Sequence, residues 1–424
     1  MADFTEFNLD EKLMKALEDL GFKTATPIQE KAIPVILNGS DLIASAQTGT
    51  GKTCAFILPI LQAIVSEPPA KGIRPRALVL VPTRELAMQV SDEVRKLTKH
   101  TPFIKNVCIY GGVPYPIQKR MLSSRYDILV ATPGRLIDQL NQRKVDLSAV
   151  KTLILDEADR MLDMGFIDAV EKIAFQCPKS RQTLMFSATI DRKILPISKK
   201  LQNNPVEVQV NPSFSTAENI EQKLYFVDNI DHKMQILEHL LQSSGMKQSI
   251  IFTSTKMQAD NLSRELYQQG YPSGSLHGDM NQRQRTRTIN DLRKGKIDHL
   301  VATDVAARGI DIADLSHVVN FDLPFHPEDF VHRVGRTGRA GAKGTAITFA
   351  SHRDSLILSR ISKLTGKQME TSVIPGLEPK SKPKGPAKPF NRRGDQKASR
   401  GKFSKFPPRS NHRSKKGLPK FSAS

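Results

Sequence analysis

The sequence predicts two tandem α/β units, each a parallel sheet covered by helices, followed by a basic tail. Three observations carry this. Short apolar runs alternate with longer helical patterns through most of the chain. The alternation breaks at a polar stretch, residues 211–219, and then starts again. From about Pro375 onward Pro, Lys, Arg, Ser and Gly dominate, a composition that cannot bury enough apolar surface to offset its ordering entropy. A chain of 424 residues also exceeds one ordinary core. The expected organisation is a first unit at 1–210, a linker at 211–219, a second unit at 220–370 and a disordered basic tail at 371–424.

In chain order, residues 10–20 read as an amphipathic helix with Leu13, Leu17 and Leu20 on one face. A loop with Pro27 and a second helix from Gln29 to about Leu37 follow. Residues 41–46 form a short strand that runs into a Gly-rich turn and an apolar helix, Ala55 to Val65. Further strands are expected at 77–81, 106–110, 128–131, 153–155 and 183–187. The second unit repeats the pattern with strands at 223–227, 249–253, 299–303, 318–321 and 344–349, and with helices at 232–241 and 257–268.

Charge is unevenly spread. Residues 371–424 hold 15 of the 63 Lys and Arg but only 2 of the 43 Asp and Glu. A tail of that sign fits an anionic polymer, chiefly nucleic acid. The tail's isolated Phe390, Phe403, Phe406 and Phe421 suit stacking on bases. No apolar run is long enough to span a membrane, and the acidic, mixed start Met1 to Glu6 is not a signal peptide. Cys54, Cys108 and Cys177 are far apart, with no zinc spacing. That suits a reducing cytoplasm and small core fillers.

Two stretches carry chemistry. Ala46, Gln47, Thr48, Gly49, Thr50, Gly51, Lys52 and Thr53 follow a strand and open a helix, the setting of a phosphate-binding loop. Gly49 and Gly51 let backbone N–H groups turn toward phosphate oxygens, and the helix start favours the same anion. Lys52 can reach the outer phosphates, and Thr53 can ligate Mg²⁺. The strict pattern has glycine where this chain has Ala46. About a hundred residues later, the apolar run Leu153, Ile154, Leu155 ends in Asp156, Glu157 and Asp159. Carboxylates at the end of a buried parallel strand sit where open α/β sheets bind ligands. Crowded acids call for a cation, and a nucleotide brings one. Asp156 would hold Mg²⁺, while Glu157 would orient and deprotonate a water.

Asp156, Glu157, Ala158 and Asp159 spell the name of a family, and other stretches agree. From about Phe4 to Leu364 the chain resembles the DEAD-box ATP-dependent RNA helicases. The matching stretches are 82–87, 132–135 and 187–189 in the first unit, then 302–311 and 332–339 in the second. Residues 159–166 and 373–376 resemble the bacterial RhlE-type branch. The resemblance implies two RecA-like domains with ATP and Mg²⁺ as cofactors and RNA as partner. The tail would add RNA affinity, and ribosome-assembly or RNA-turnover factors would be candidate partners.

Residue by residue, the resemblance places Phe22, Thr26 and Gln29 at adenine, with Ala25 where the family usually has Pro. Arg336 and Arg339 would be arginine fingers on the γ-phosphate, and Asp311 would contact the ribose. RNA would lie across both domains, on Arg84, Gly111, Gly112, Thr132, Gly134 and Arg135 in the first. In the second it would meet Thr253, Gln282, Arg285, Thr303 and Arg308. Glycine and threonine contacts of this kind read phosphate and 2′-OH groups without base sequence. Asp159, Ser187, Thr189 and His332 would couple the ATP and RNA states. The same residues could serve an ATP-gated clamp or scaffold with little unwinding.

Overall fold

The computed structural model describes residues 2–46, 50–67, 72–188, 190, 194–210, 219–243, 245–307, 315–338 and 342–380. The strands of the first half are β1 (Leu42–Ser45), β2 (Ala77–Leu80), β3 (Asn106–Ile109), β4 (Ile128–Ala131), β5 (Thr152–Leu155), β6 (Gln182–Ser187) and β7 (Val206–Gln209). Its helices are α1 (Glu11–Asp19), α2 (Pro27–Leu37), α3 (Lys52–Ser66), α4 (Arg84–Leu97), α5 (Tyr115–Leu122), α6 (Pro133–Asn141), α7 (Ala158–Asp163), α8 (Ile167–Ala174) and α9 (Ile194–Leu201).

The second half has strands β8 (Ile220–Phe226), β9 (Ser249–Phe252), β10 (Ser273–Leu276), β11 (His299–Ala302), β12 (His317–Asn320), β13 (Gly344–Ala350) and β14 (Glu370–Thr371). Its helices are α10 (Ile230–Ser243), α11 (Lys256–Gln268), α12 (Gln282–Arg293), α13 (Asp304–Ala307), α14 (Pro327–Val334) and α15 (Ser355–Thr365).

All strand pairs in both seven-stranded sheets are parallel. The first sheet runs β3-β4-β2-β5-β6-β1-β7 and the second β10-β11-β9-β12-β13-β8-β14. The two orders are the same once each half is counted from its own first strand. The halves are one topology used twice, as the restart of the sequence pattern predicts.

Alternation of side chains sorts the first sheet's apolar residues onto two faces. Ala44, Val79, Val130, Ile154 and Phe186 face one core. Ile43, Leu78, Leu80, Leu129, Leu155 and Met185 face the other. Burial on both faces explains why these strands read as unbroken apolar runs rather than alternating ones.

β7, β10 and β14 have no such run and fall outside the expected strands. All three lie at sheet edges, where one side of the strand has no neighbour and the composition is freer. β14 also moves the start of the expected tail. Thr371 belongs to the second sheet, Ile374 is buried in its core, and the Lys380 N–H donates to Asp228 at 2.7 Å. The chain therefore packs ten residues past 370, because Ile374 has apolar surface to bury. Residues 381–424 lie outside the described residues. Among the described residues no helix is long and apolar enough to cross a membrane.

One ion pair ties the strand starts of the first sheet together. Asp127 accepts from Arg76 at 2.8 Å and from the Lys105 backbone N–H at 3.1 Å. These residues precede β4, β2 and β3. Arg76 and Asp127 are both almost wholly buried. Removing one partner of such a pair strands the other's charge, at a cost of about 3–5 kcal/mol. Asp127→Ala should lower unfolding stability by that amount, as measured by urea denaturation; a change within about 0.5 kcal/mol would mean the pair is dispensable.

Candidate functional site

The strand order assembles the site. β5, β6 and β1 are adjacent, and each ends in one of the chemistry-bearing stretches. Lys52 follows β1, Asp156 follows β5, and Ser187 closes β6 between them. Two strand spacings, about 10 Å, separate the first from the second. Such a crevice at the carboxyl ends of parallel strands is where open α/β sheets hold nucleotides.

Hydrogen bonds lock the three strand ends. The Ala46 N–H donates to the Ser187 carbonyl at 3.1 Å. Ser45 Oγ donates to the Ala188 carbonyl at 3.0 Å, and the Ala188 N–H donates to Asp159 Oδ2 at 3.1 Å. Asp159 therefore faces residues 187–188 rather than standing as a third acid in a metal cluster. Among the described residues no three His, Cys, Asp or Glu side chains form a metal-binding group. An ion beside Asp156 would take its other ligands from phosphate, water and Thr53.

Glu157 has φ +54° and ψ +51° at the start of α7. A non-glycine residue in the left-handed region costs about 1–3 kcal/mol and marks a position fixed by its surroundings. Here the turn aims Asp156 and Glu157 differently within one residue. Asp156 is fully buried, and burial pushes its carboxyl up to about 6, against the pull of Lys52 and with the push of Glu157. Lys52 Nζ is itself buried and has no hydrogen-bond partner among the described residues. A buried ammonium of this kind needs an anion. A phosphate chain laid across the start of α3, between Lys52 and Asp156 with a divalent cation, satisfies both groups. The residues present fit a nucleotide.

The expected adenine segment lies against this loop. Gln29 is buried in α2; its Oε1 accepts from the Thr26 N–H at 2.9 Å, and its Nε2 donates to the Gly51 carbonyl at 3.1 Å. Gly51 has φ +89°, and a Cβ there would collide with Gln29 Nε2. Phe22, at the end of α1, is exposed enough to stack on a base. Gln47, Thr48, Gly49, Thr189, Arg308, Asp311 and Arg339 lie outside the described residues.

The expected RNA set occupies the other side of the sheet. Arg84 follows β2, Gly111 and Gly112 follow β3, and Thr132, Gly134 and Arg135 follow β4. These strands are adjacent too. The second half matches: Thr253 follows β9, Gln282 and Arg285 follow β10, and Thr303 follows β11.

Several of these side chains also have protein partners. Arg285 is buried and pairs with Glu85 of the first half at 2.8 Å. Gln282 reaches Arg84 and Glu85 at 3.4 Å. Arg135 donates to the Val113 carbonyl and Gln118, both at 2.9 Å, and stacks on Tyr115. A buried charge is held by the partner that replaces its water, so Arg285 and Arg135 are each anchored by protein groups. Thr132, Thr253 and Thr303 are buried. Gly134 opens on free space at the start of α6, and Gly111 and Gly112 pack on the Arg84 guanidinium.

Sequence reasoning missed three charge pairs. Glu85 is the first-half partner of Arg285. Arg160 and Asp329 form a buried pair at 2.5 Å. Arg333 grips Asp304 with two bonds at 2.6 and 2.7 Å. Glu85, Asp304 and Arg333 fall inside the matched stretches 82–87, 302–311 and 332–339, and Arg160 follows the four acidic-motif residues, but no local pattern pairs them with one another or points to Asp329. His332 lies on α14, and Arg336, two residues past it, is buried.

A DEAD/DEAH box helicase family model matches residues 26–197, and a helicase conserved C-terminal domain model matches 232–341. The chain is 45% identical over 380 residues to the ATP-dependent RNA helicase SrmB of Escherichia coli (strain K12), covering 89% of this chain and 85% of that one. The chain belongs to the DEAD-box ATP-dependent RNA helicase family. A second relative, CshA of Listeria monocytogenes, is 45% identical over 88% of this chain and 71% of its own length. Among solved structures, S. cerevisiae Dbp5 bound to RNA and ADP BeF3 matches with a TM-score of 0.79 at 34% identity, covering 88% of this chain and 96% of that one. The helicase's two sheets thus superpose on those of an RNA-bound relative.

Two outcomes test the site. Gly51→Ala should push Gln29 off the loop and weaken binding of a fluorescent ADP at least tenfold; unchanged affinity would separate Gln29 from the nucleotide. Asp156 ordinarily titrates near 3.8. Between about 4 and 6 the folded helicase keeps a proton that the unfolded chain has lost, so this group favours folding at low pH and the advantage disappears as pH rises through 6. A shift of about two units is worth about 3 kcal/mol. In nucleotide-free protein, the stability of wild type relative to Asp156→Asn should fall by up to that amount from pH 4 to 7 in urea titrations. Parallel profiles would place Asp156 in a wetter site.

Proposed function

We propose that this helicase works as a two-part clamp that closes on ATP and RNA together and hydrolyses ATP only when closed. The observation that supports it most is the doubled topology. Both halves present loops from equivalent strands, β3-β4-β2 and β10-β11-β9, to one groove, while β5-β6-β1 presents the nucleotide crevice. One half alone lacks either Lys52 and Glu157 or Arg336. Closure completes the set.

In the closed state Lys52 binds the outer phosphates, and Glu157 takes a proton from the attacking water. Arg336, with Arg339, stabilises charge on the transferred phosphoryl group. Mg²⁺, held through Asp156 and Thr53, would neutralise phosphate charge when bound. Asp159 carries the state of the crevice to residues 187–189 through the Ala188 N–H. On the RNA side Gly134 admits the sugar–phosphate backbone closely, and Gly111 and Gly112 seat the Arg84 guanidinium that meets it, so recognition is independent of base sequence. A groove that accepts a single bent strand unpairs a short duplex locally, and phosphate release reopens it. The S. cerevisiae Dbp5 bound to RNA and ADP BeF3, and the relatives' description as ATP-dependent RNA helicases, support this reading.

The domain limits 1–210 and 220–370, extended to about 380, belong to the same proposal. The basic tail raises RNA affinity by counterion release, and the site of action is the cytoplasm. Ribosome assembly and RNA turnover stand as the two alternative processes in this proposal. The RhlE-type branch rests on residues 159–166 and 373–376 alone.

ATPase turnover measured with and without a generic RNA tests the coupling; equal rates would end it. Glu157→Gln should keep ATP and RNA binding but lower RNA-stimulated turnover at least about a hundredfold. Normal turnover would remove Glu157 as the base.

A further inference from the structure

Arg160 sits in the first turn of α7, directly after Asp159 and three residues past Glu157. Its side chain is buried, although a surface position would solvate it freely. The guanidinium reaches out of the first half: Nη1 meets Oδ1 of Asp329 at 2.5 Å, while its own-helix acid Asp163 is 3.8 Å away. Asp329 is buried too, in the first turn of α14.

Four residues later on α14, Arg333 is anchored within the second half. It binds Asp304 twice, donates to Asn320 Oδ1 at 3.1 Å and to the Asp322 carbonyl at 2.6 Å, and lies over the Phe252 ring. Positions four apart share a helix face. α14 is therefore pinned by Arg333 to its own sheet and by Asp329 to the first half. Arg336 follows three residues after Arg333, past the end of α14.

We propose that Arg160 is a positioning residue for ATP hydrolysis: its pair with Asp329 sets α14, and so Arg336, against the crevice when the halves close. This rests on the clamp reading above. The pair is well chosen for a closure sensor. Apart, each group is solvated and nothing ties α14 to the acidic loop. Together, the two charges leave water, which is tolerable only if they meet in good geometry. A misaligned closure leaves two unpaired buried charges and is rejected. The guanidinium also feels the charges of Asp159 and Glu157, so one cation serves the acids on its own loop and the acid arriving from the other half. A planar fork holds that geometry more tightly than an ammonium.

The test is a double-mutant cycle on the full chain with Arg160→Gln, Asp329→Asn and the pair combined. RNA-stimulated kcat, the KM for ATP, affinity for a fluorescent ADP and Tm are measured for each. Each single change should lower kcat at least tenfold and leave ADP affinity within twofold. The combined change should be no worse than the worse single one, since the interaction is already lost. Arg160→Lys, which keeps the charge without the fork, should fall between wild type and Arg160→Gln. The proposal is overturned by unchanged kcat, by losses that multiply in the combined variant, or by a loss confined to Tm. It is also overturned if KM rises while kcat holds, because Arg160 would then act on binding. Glu157→Gln run alongside separates the two ideas. Normal turnover there faults the clamp chemistry, whereas a stalled Glu157→Gln with a silent cycle faults Arg160 alone.

Discussion

A charge buried in a protein must find its opposite, and much of this molecule follows from that. Asp156 and Lys52 are both inside, one with a carboxyl pushed up by burial and the other with an ammonium that has no protein hydrogen-bond partner among the described residues. The crevice between them suits a ligand carrying phosphate. The same rule operates where the halves meet. Arg285 with Glu85 and Arg160 with Asp329 are buried pairs whose members come from different halves. Such pairs add little to bulk stability but reject wrong geometry strongly. They suit a device that must distinguish a correct closure from a loose one.

The second organising fact is topological. One strand order is used twice, so equivalent loops follow equivalent strands in both halves. Within the first half the same sheet divides the labour. β3-β4-β2 ends in the glycines and arginines of the groove, and β5-β6-β1 ends in the residues of the crevice. β5 is the neighbour of β2, so the acidic loop stands at the border. Asp159, bonded to the Ala188 N–H, joins that loop to the end of β6.

Much of the fold was legible because both faces of each central strand are buried, which writes short apolar runs into the sequence. The edge strands β7, β10 and β14 were not, since an edge needs no such run. The crevice was legible through local motifs: a turn of glycines before Lys52, and acids after Leu155. The groove was less so. Arg135 and Arg285 were expected as RNA contacts by their place in a motif; the protein groups that hold them, Gln118 and Glu85, are ones no local pattern could name.

The sequence by itself determined the α/β class, the repeat, the family and the phosphate-binding and acidic loops, because each is encoded in neighbours along the chain. Only the tertiary structure decided which strand ends are adjacent, where Asp159 points, and that Arg160 reaches Asp329, 169 residues away. Those are contacts between distant segments. They depend on how helices and sheets pack, and side-chain charge alone does not select a partner until packing has removed the water.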